Sequence, residues 1–153
     1  MQTADGVRCV VPGSDVLGET PLWCAQTQSL LWLDIEEANS WSDNTALNAQ
    51  VIQGAIDYLN TQNIRAGIYS VPYMWKRIAG AGFSPAESLN SANSPVPTWF
   101  PIGINTQVGA TNACLTRASF IPGSPVWIIQ YVADSTAVDQ NIACYAPARR
   151  IAQ

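Results

Sequence analysis

Residues 43–60 do most to limit what this chain can fold into. Leu47, Val51, Ile52, Ala55, Ile56 and Leu59 recur at spacings of three and four, which makes one apolar stripe along a helix. A short apolar run, Leu30 to Ile35, precedes the stripe, and another, Arg65 to Ser70, follows it. Val71-Pro72 then opens a second helix to about Ile78, stopped by Gly80 and Gly82. Pro97 to Ile102 (PTWFPI) reads as a short strand, and Val126 to Val132 (VWIIQYV) carries the strongest strand signal. Strand, helix, strand, helix, strand indicates a parallel α/β layer. Ser42 or Asp43 is the expected cap of the first helix, where an acid suits the dipole, and Asn60 to Asn63 are expected to end it. Residues 83–96 read as a loop and 145–153 as a fraying helix or coil. Pro21 to Ala25 and Leu30 to Ile35 flank a four-residue loop as a β-hairpin, so antiparallel character is expected only at the N-terminus.

Charge narrows the partners. Of 153 residues only 12% are charged, against about 25% in ordinary chains, which argues against disorder and coiled coil. A net charge of −4 repels phosphate backbones, so no nucleic-acid partner is expected. No apolar run approaches the roughly 18 residues of a membrane span, and Met1-Gln2-Thr3-Ala4-Asp5 lacks a signal-peptide pattern. The sequence has no histidine, which removes Ser-His-Asp and Cys-His relays and histidine-bound zinc. Cys9, Cys24, Cys114 and Cys144 form no CxxC, so neither metal nor cofactor is expected. A pair of free buried thiols and a Cys114–Cys144 disulfide both fit, and the state of Cys9 and Cys24 stays open. Acid–base chemistry is left to carboxylates and tyrosines.

The run Leu31-Trp32-Leu33-Asp34-Ile35-Glu36 offers such carboxylates. Side chains alternate along a strand, so Leu31, Leu33 and Ile35 suit a helix-covered face, while Trp32, Asp34 and Glu36 point the other way. Active sites of α/β folds collect at the carboxyl ends of strands, where these acids sit. Two neighbouring acids do not ionise equally easily, and the one whose pKa rises becomes a general acid. A solvated or cap-forming pair is the plainer reading of Asp-x-Glu alone. Six Trp and five Tyr add faces on which sugar rings stack, among them Trp41, Tyr69, Tyr73, Trp75, Trp99, Trp127 and Tyr131, with core packing as the alternative for each.

Five segments follow one another in a recognisable order: LWLDIE (31–36), NSWSDNTALNAQVIQGAIDYL (39–59), GIYSVPYMWKRIAG (67–80), PTWFPIG (97–103) and VWIIQYVADSTAVDQNIAC (126–144). Over these residues the chain resembles the glycoside hydrolase-like domain related to family 25 lysozymes, in its actinobacterial form. The resemblance implies a (β/α)8-type barrel and cleavage of β-1,4 bonds in peptidoglycan glycan outside the cell. It implies Glu36 as proton donor, Asp34 as support for the oxocarbenium-like centre or the N-acetyl group, and Asp139 of Asp139-Gln140-Asn141 as a further cleft acid. It also implies Tyr69, Gln130 and Tyr131 as sugar-facing residues, to which the aromatic inventory adds Trp99, and a Cys114–Cys144 disulfide.

The match is partial. A complete (β/α)8 barrel takes about 250 residues, and the first β/α units and their aspartate have no counterpart before Leu31. Residues 7–35 instead resemble the opening blade of the gluconolactonase and senescence-marker propeller family, so the chain reads as a chimera joined at LWLDI. In that family the Glu of LGE, here Glu19, binds metal, but one blade lacks the remaining ligands and Glu19 reads as a surface acid. The expected organisation is a propeller-blade-like β segment (1–30), a partial (β/α)8-type barrel (31–144) and a tail (145–153). The expected function is glycoside hydrolysis on peptidoglycan, with a non-catalytic glycan-binding or structural module as the alternative. Open sheet edges make self-association a further expectation.

Overall fold

A computed structural model describes residues 29–87, 94–133 and 137–144. Strand β1 (Ser29–Asp34) leads to helix α1 (Thr45–Thr61), strand β2 (Ile64–Tyr69) and helix α2 (Pro72–Ile78). Two short strands, β3 (Ala86–Glu87) and β4 (Ser94–Pro95), pair antiparallel with each other. Strand β5 (Thr98–Ile104), helix α3 (Gln107–Thr116), strand β6 (Val126–Val132) and strand β7 (Asp139–Ala143) complete the order. The main sheet runs β1-β2-β5-β6-β7. Its first four strands are parallel, and β7 returns antiparallel to β6. The described chain is therefore mixed α/β, a five-stranded main sheet and a two-stranded ribbon with three helices.

One face of the sheet is covered by helices and the other is open. Ile52 and Ile56 of α1 and Trp75 and Ile78 of α2 pack with Ile35, Ala66 and Ile68 in the larger core cluster. Ala110 of α3 packs with Phe100, Ile129 and Tyr131 in a second. Alternation along each strand sends the intervening residues to the opposite face.

Several local expectations change. Asn44 caps α1, its side-chain oxygen accepting from the Ala46 and Leu47 N–H groups, so neither Ser42 nor Asp43 takes that place. The buried stripe of α1 is Asn48, Ile52 and Ile56, which leaves Leu47 and Val51 exposed at 51% and 63%. Helix α3 was not expected and neither was β7, so antiparallel pairing occurs at the C-terminal end of the sheet. The N-terminal hairpin partner, the propeller-like segment with Glu19, Cys9 and Cys24, and the tail lie outside the described residues.

A disulfide joins Cys114, near the end of α3, to Cys144, just beyond β7, with Cα atoms 5.0 Å apart. It closes a loop across a sequence separation of 30. Chain-entropy arguments give such a link roughly 3–4 kcal/mol. Cys114→Ser is accordingly expected to lower the unfolding free energy by about that amount in denaturant titration. Reductant should shift the parent protein similarly and the variant hardly at all.

Candidate active site

The open face gathers the sequence's candidate chemistry where the carboxyl ends of β1 and β2 meet the start of β5. Trp32, Asp34 and Glu36 project from β1 and its extension, Tyr69 from the end of β2, Trp99 from β5 and Gln130 from β6, and together they line a cavity of about 370 Å³. Register explains the convergence: Asp34 lies opposite Tyr69, and Tyr69 opposite Trp99.

Backbone bonds fix the acid-bearing segment. The Ile35 N–H donates to the Tyr69 carbonyl at 2.9 Å, and the Ser70 hydroxyl donates to the Ile35 carbonyl at 2.7 Å. Beyond the strand, the Trp41 indole N–H donates to the Glu36 carbonyl at 2.8 Å, and Asn39 Nδ2 to the Asp34 carbonyl at 3.1 Å. The loop after β1 is thus folded back on the residues that carry the carboxylates.

Aromatic rings form the floor. Trp99 meets Trp32 edge-on at 5.6 Å and Tyr69 edge-on at 5.2 Å. Such T-shaped pairs add about 0.5–1.5 kcal/mol beyond burial. Gly67 makes the arrangement possible, because a Cβ there would overlap the Trp32 ring. Trp99 Nε1 and Gln130 Oε1 are buried without a hydrogen-bond partner among the described residues. Leaving a donor or acceptor in that state costs about 1–3 kcal/mol.

Burial, and then the charge of Asp34, raises the Glu36 carboxyl above its ordinary pKa. Tyr69 is raised as well, first by burial and then by the charges of Glu36, Asp34 and Asp139. Asp139 does not line the cavity, yet its field reaches Tyr69. The β6/β7 register pairs Asp139 with Val132 and Asn141 with Gln130, so Asp139 shares the open face with Gln130.

The structure separates Tyr131 from this group. It is 7% exposed and packs with Phe100, Ile129 and Ala110 beneath α3. Neighbouring residues of one strand face opposite ways, so Gln130 and Tyr131 cannot both meet a sugar. Trp75 is likewise a core residue. Trp32 and Gly67 were not singled out in the sequence as site residues. Alternation already placed Trp32 beside Asp34, and that was the available signal. No group of three or more His, Cys, Asp or Glu able to hold a metal occurs among the described residues. No described helix is long and apolar enough to cross a membrane.

The family model described as lysozyme-like protein 1 matches residues 24–111, more than half of the chain. The chain belongs to this lysozyme-like family, as the motif order implied. A probable GH family 25 lysozyme 3 of Dictyostelium discoideum is 32% identical over 71 residues, which cover 46% of this chain and 13% of that protein. The chain therefore spans a small part of that relative's length. No solved structure matches it. Within the lysozyme-like match fall Trp32, Asp34, Glu36, Tyr69 and Trp99, whereas Gln130 and Asp139 lie beyond it. A glycoside hydrolase-like domain agrees with both comparisons, and the Cys114–Cys144 bond is compatible with an extracellular setting.

Proposed function

We propose that the chain acts on peptidoglycan glycan outside the cell, as part of a (β/α)8-type barrel, with Glu36 as the acid that protonates the leaving oxygen. The observation that carries this reading is the meeting of Glu36, Asp34 and three aromatic rings in one cavity on the open face of the sheet. Glycoside hydrolysis needs one carboxyl that keeps its proton and one charged carboxylate near the oxocarbenium-like centre. Glu36, with its raised pKa, suits the first role, and Asp34 takes the second. Asp139 adds negative potential from β7. Trp32, Tyr69 and Trp99 offer ring faces and edges to a sugar.

The outer edge of β1 pairs with no other strand among the described residues, and Leu30 and Leu31 beside it are exposed at 38% and 44%. Further barrel strands or a second copy would meet that edge.

The test is reducing-end release from purified peptidoglycan, together with binding of its soluble glycan fragments. Trp99→Ala is expected to weaken binding on the order of tenfold, by removing the ring that Trp32 and Tyr69 both touch. Binding without bond cleavage would reduce the domain to a glycan-binding module. Loss of neither binding nor cleavage in Trp99→Ala would remove this cavity from the account.

A further inference from the structure

A second cavity, of about 230 Å³, begins one residue along the chain from Glu36. Glu37, Trp41, Ser42 and Asp43, from the loop between β1 and α1, form one wall, and Arg77 and Ile78, from the end of α2, form the other. One buried side chain ties the two walls together. Asn48, 3% exposed, donates through Nδ2 to the Ser42 carbonyl at 2.8 Å and to the Ile78 carbonyl at 2.9 Å. Its Oδ1 accepts from the Ser42 N–H at 3.0 Å. A buried amide with three such bonds fixes the separation of the walls, so the cavity is preformed rather than induced.

Charges of both signs stand around this opening. Glu37 Oε1 lies 3.0 Å from Arg77 Nη1, with side chains 34% and 77% exposed. So exposed a pair contributes little to folding. Asp43 adds a second carboxylate that has no ion-pair partner among the described residues. The Trp41 N–H is committed to the Glu36 carbonyl, leaving the ring face as contact surface. An uncharged sugar has no use for a guanidinium and two carboxylates. A ligand bearing both a carboxylate and an ammonium matches them.

We propose that this cavity holds the charged end of a short peptide branch carried by the glycan, Arg77 receiving a carboxylate while Glu37 and Asp43 receive an ammonium. The inference rests on the glycan reading above and names what that glycan carries. Because Trp41 joins this cavity to the Glu36 backbone, the branch and the scissile bond are read by one loop.

Three probes test it on the full chain: a disaccharide of N-acetylglucosamine and N-acetylmuramic acid whose lactyl carboxyl is capped as its amide, the same disaccharide bearing a tripeptide that ends in a diamino acid, and the free tripeptide. The branched disaccharide is expected to bind roughly tenfold tighter than the bare one, the increment of a charge-assisted contact. Arg77→Gln and Asp43→Asn are each expected to erase that increment and leave the bare disaccharide's affinity unchanged. The free tripeptide should shift the Trp41 indole resonance in the parent protein and not in Arg77→Gln. Equal affinity for both disaccharides, with an unmoved Trp41 resonance, overturns the peptide site and leaves the sugar cleft standing. A tripeptide shift at Trp41 with no binding of the bare disaccharide keeps the peptide site and removes the cleft.

Discussion

Glu36→Gln is expected to lower the rate of glycan cleavage by roughly 10²–10⁴-fold, the usual contribution of a positioned general acid, with little change in binding. Gln has the shape of the carboxylic acid but no proton to give. The same carboxyl sets the pH dependence. Burial and Asp34 raise its pKa, so Glu36 keeps its proton above the ordinary carboxylate range, and the rate should fall as pH rises through that raised value. Asp34→Asn removes the like charge but not the burial, so the alkaline limb should move to lower pH while the rate also drops. A pH–rate profile on soluble glycan, taken for the parent and both variants, checks the assignment. An unmoved alkaline limb in Asp34→Asn would assign that limb to another group, and unchanged cleavage in Glu36→Gln would take the proton donor elsewhere.

The part of the site on β1 was legible because strand alternation is a strict rule. Leu33 and Ile35 pack against the helix-side core, and Trp32, Asp34 and Glu36 line the cavity. The same rule puts Gln130 and Tyr131 on opposite faces, whereas motif likeness puts both on one. In α1 the apolar count pointed to Leu47 and Val51, but the inward position between them belongs to Asn48. That polar side chain is worth burying because it bonds both Ser42 and Ile78, a use that depends on a loop and a second helix distant in sequence. Helix α3 was illegible for a different reason. Of its ten residues only Ala110 is fully buried, so no apolar stripe exists to be read, and the Thr106 hydroxyl accepting from the Gly109 N–H is its main local signal. Strand β7 reads Asp-Gln-Asn-Ile-Ala, mostly polar, because its odd positions stand on the open face. Its pairing comes from β6 and its anchorage from the disulfide.

Trp75→Ala is expected to be among the most destabilising single changes, at about 3–5 kcal/mol. Trp75 is 1% exposed, stacks on Phe83 with centroids 5.7 Å apart, and lies tilted against Phe120 at 5.9 Å. It lies where α2 meets the sheet, in the cluster that includes Ile35, Ile68 and Ile78. Truncation leaves a cavity that these neighbours fill only in part. Domains hold only about 5–15 kcal/mol in all, so the melting temperature should fall by roughly 10–20 °C. Trp75→Phe separates volume from polarity. The Trp75 Nε1 donor is buried without a hydrogen-bond partner among the described residues, so Phe removes that unsatisfied group along with part of the ring, and the loss should be less than half that of Ala. Thermal and denaturant melts of both variants check the order. Should Phe cost as much as Ala, the indole N–H has a partner in solution and the ring edge, not its stacking, holds α2 in place.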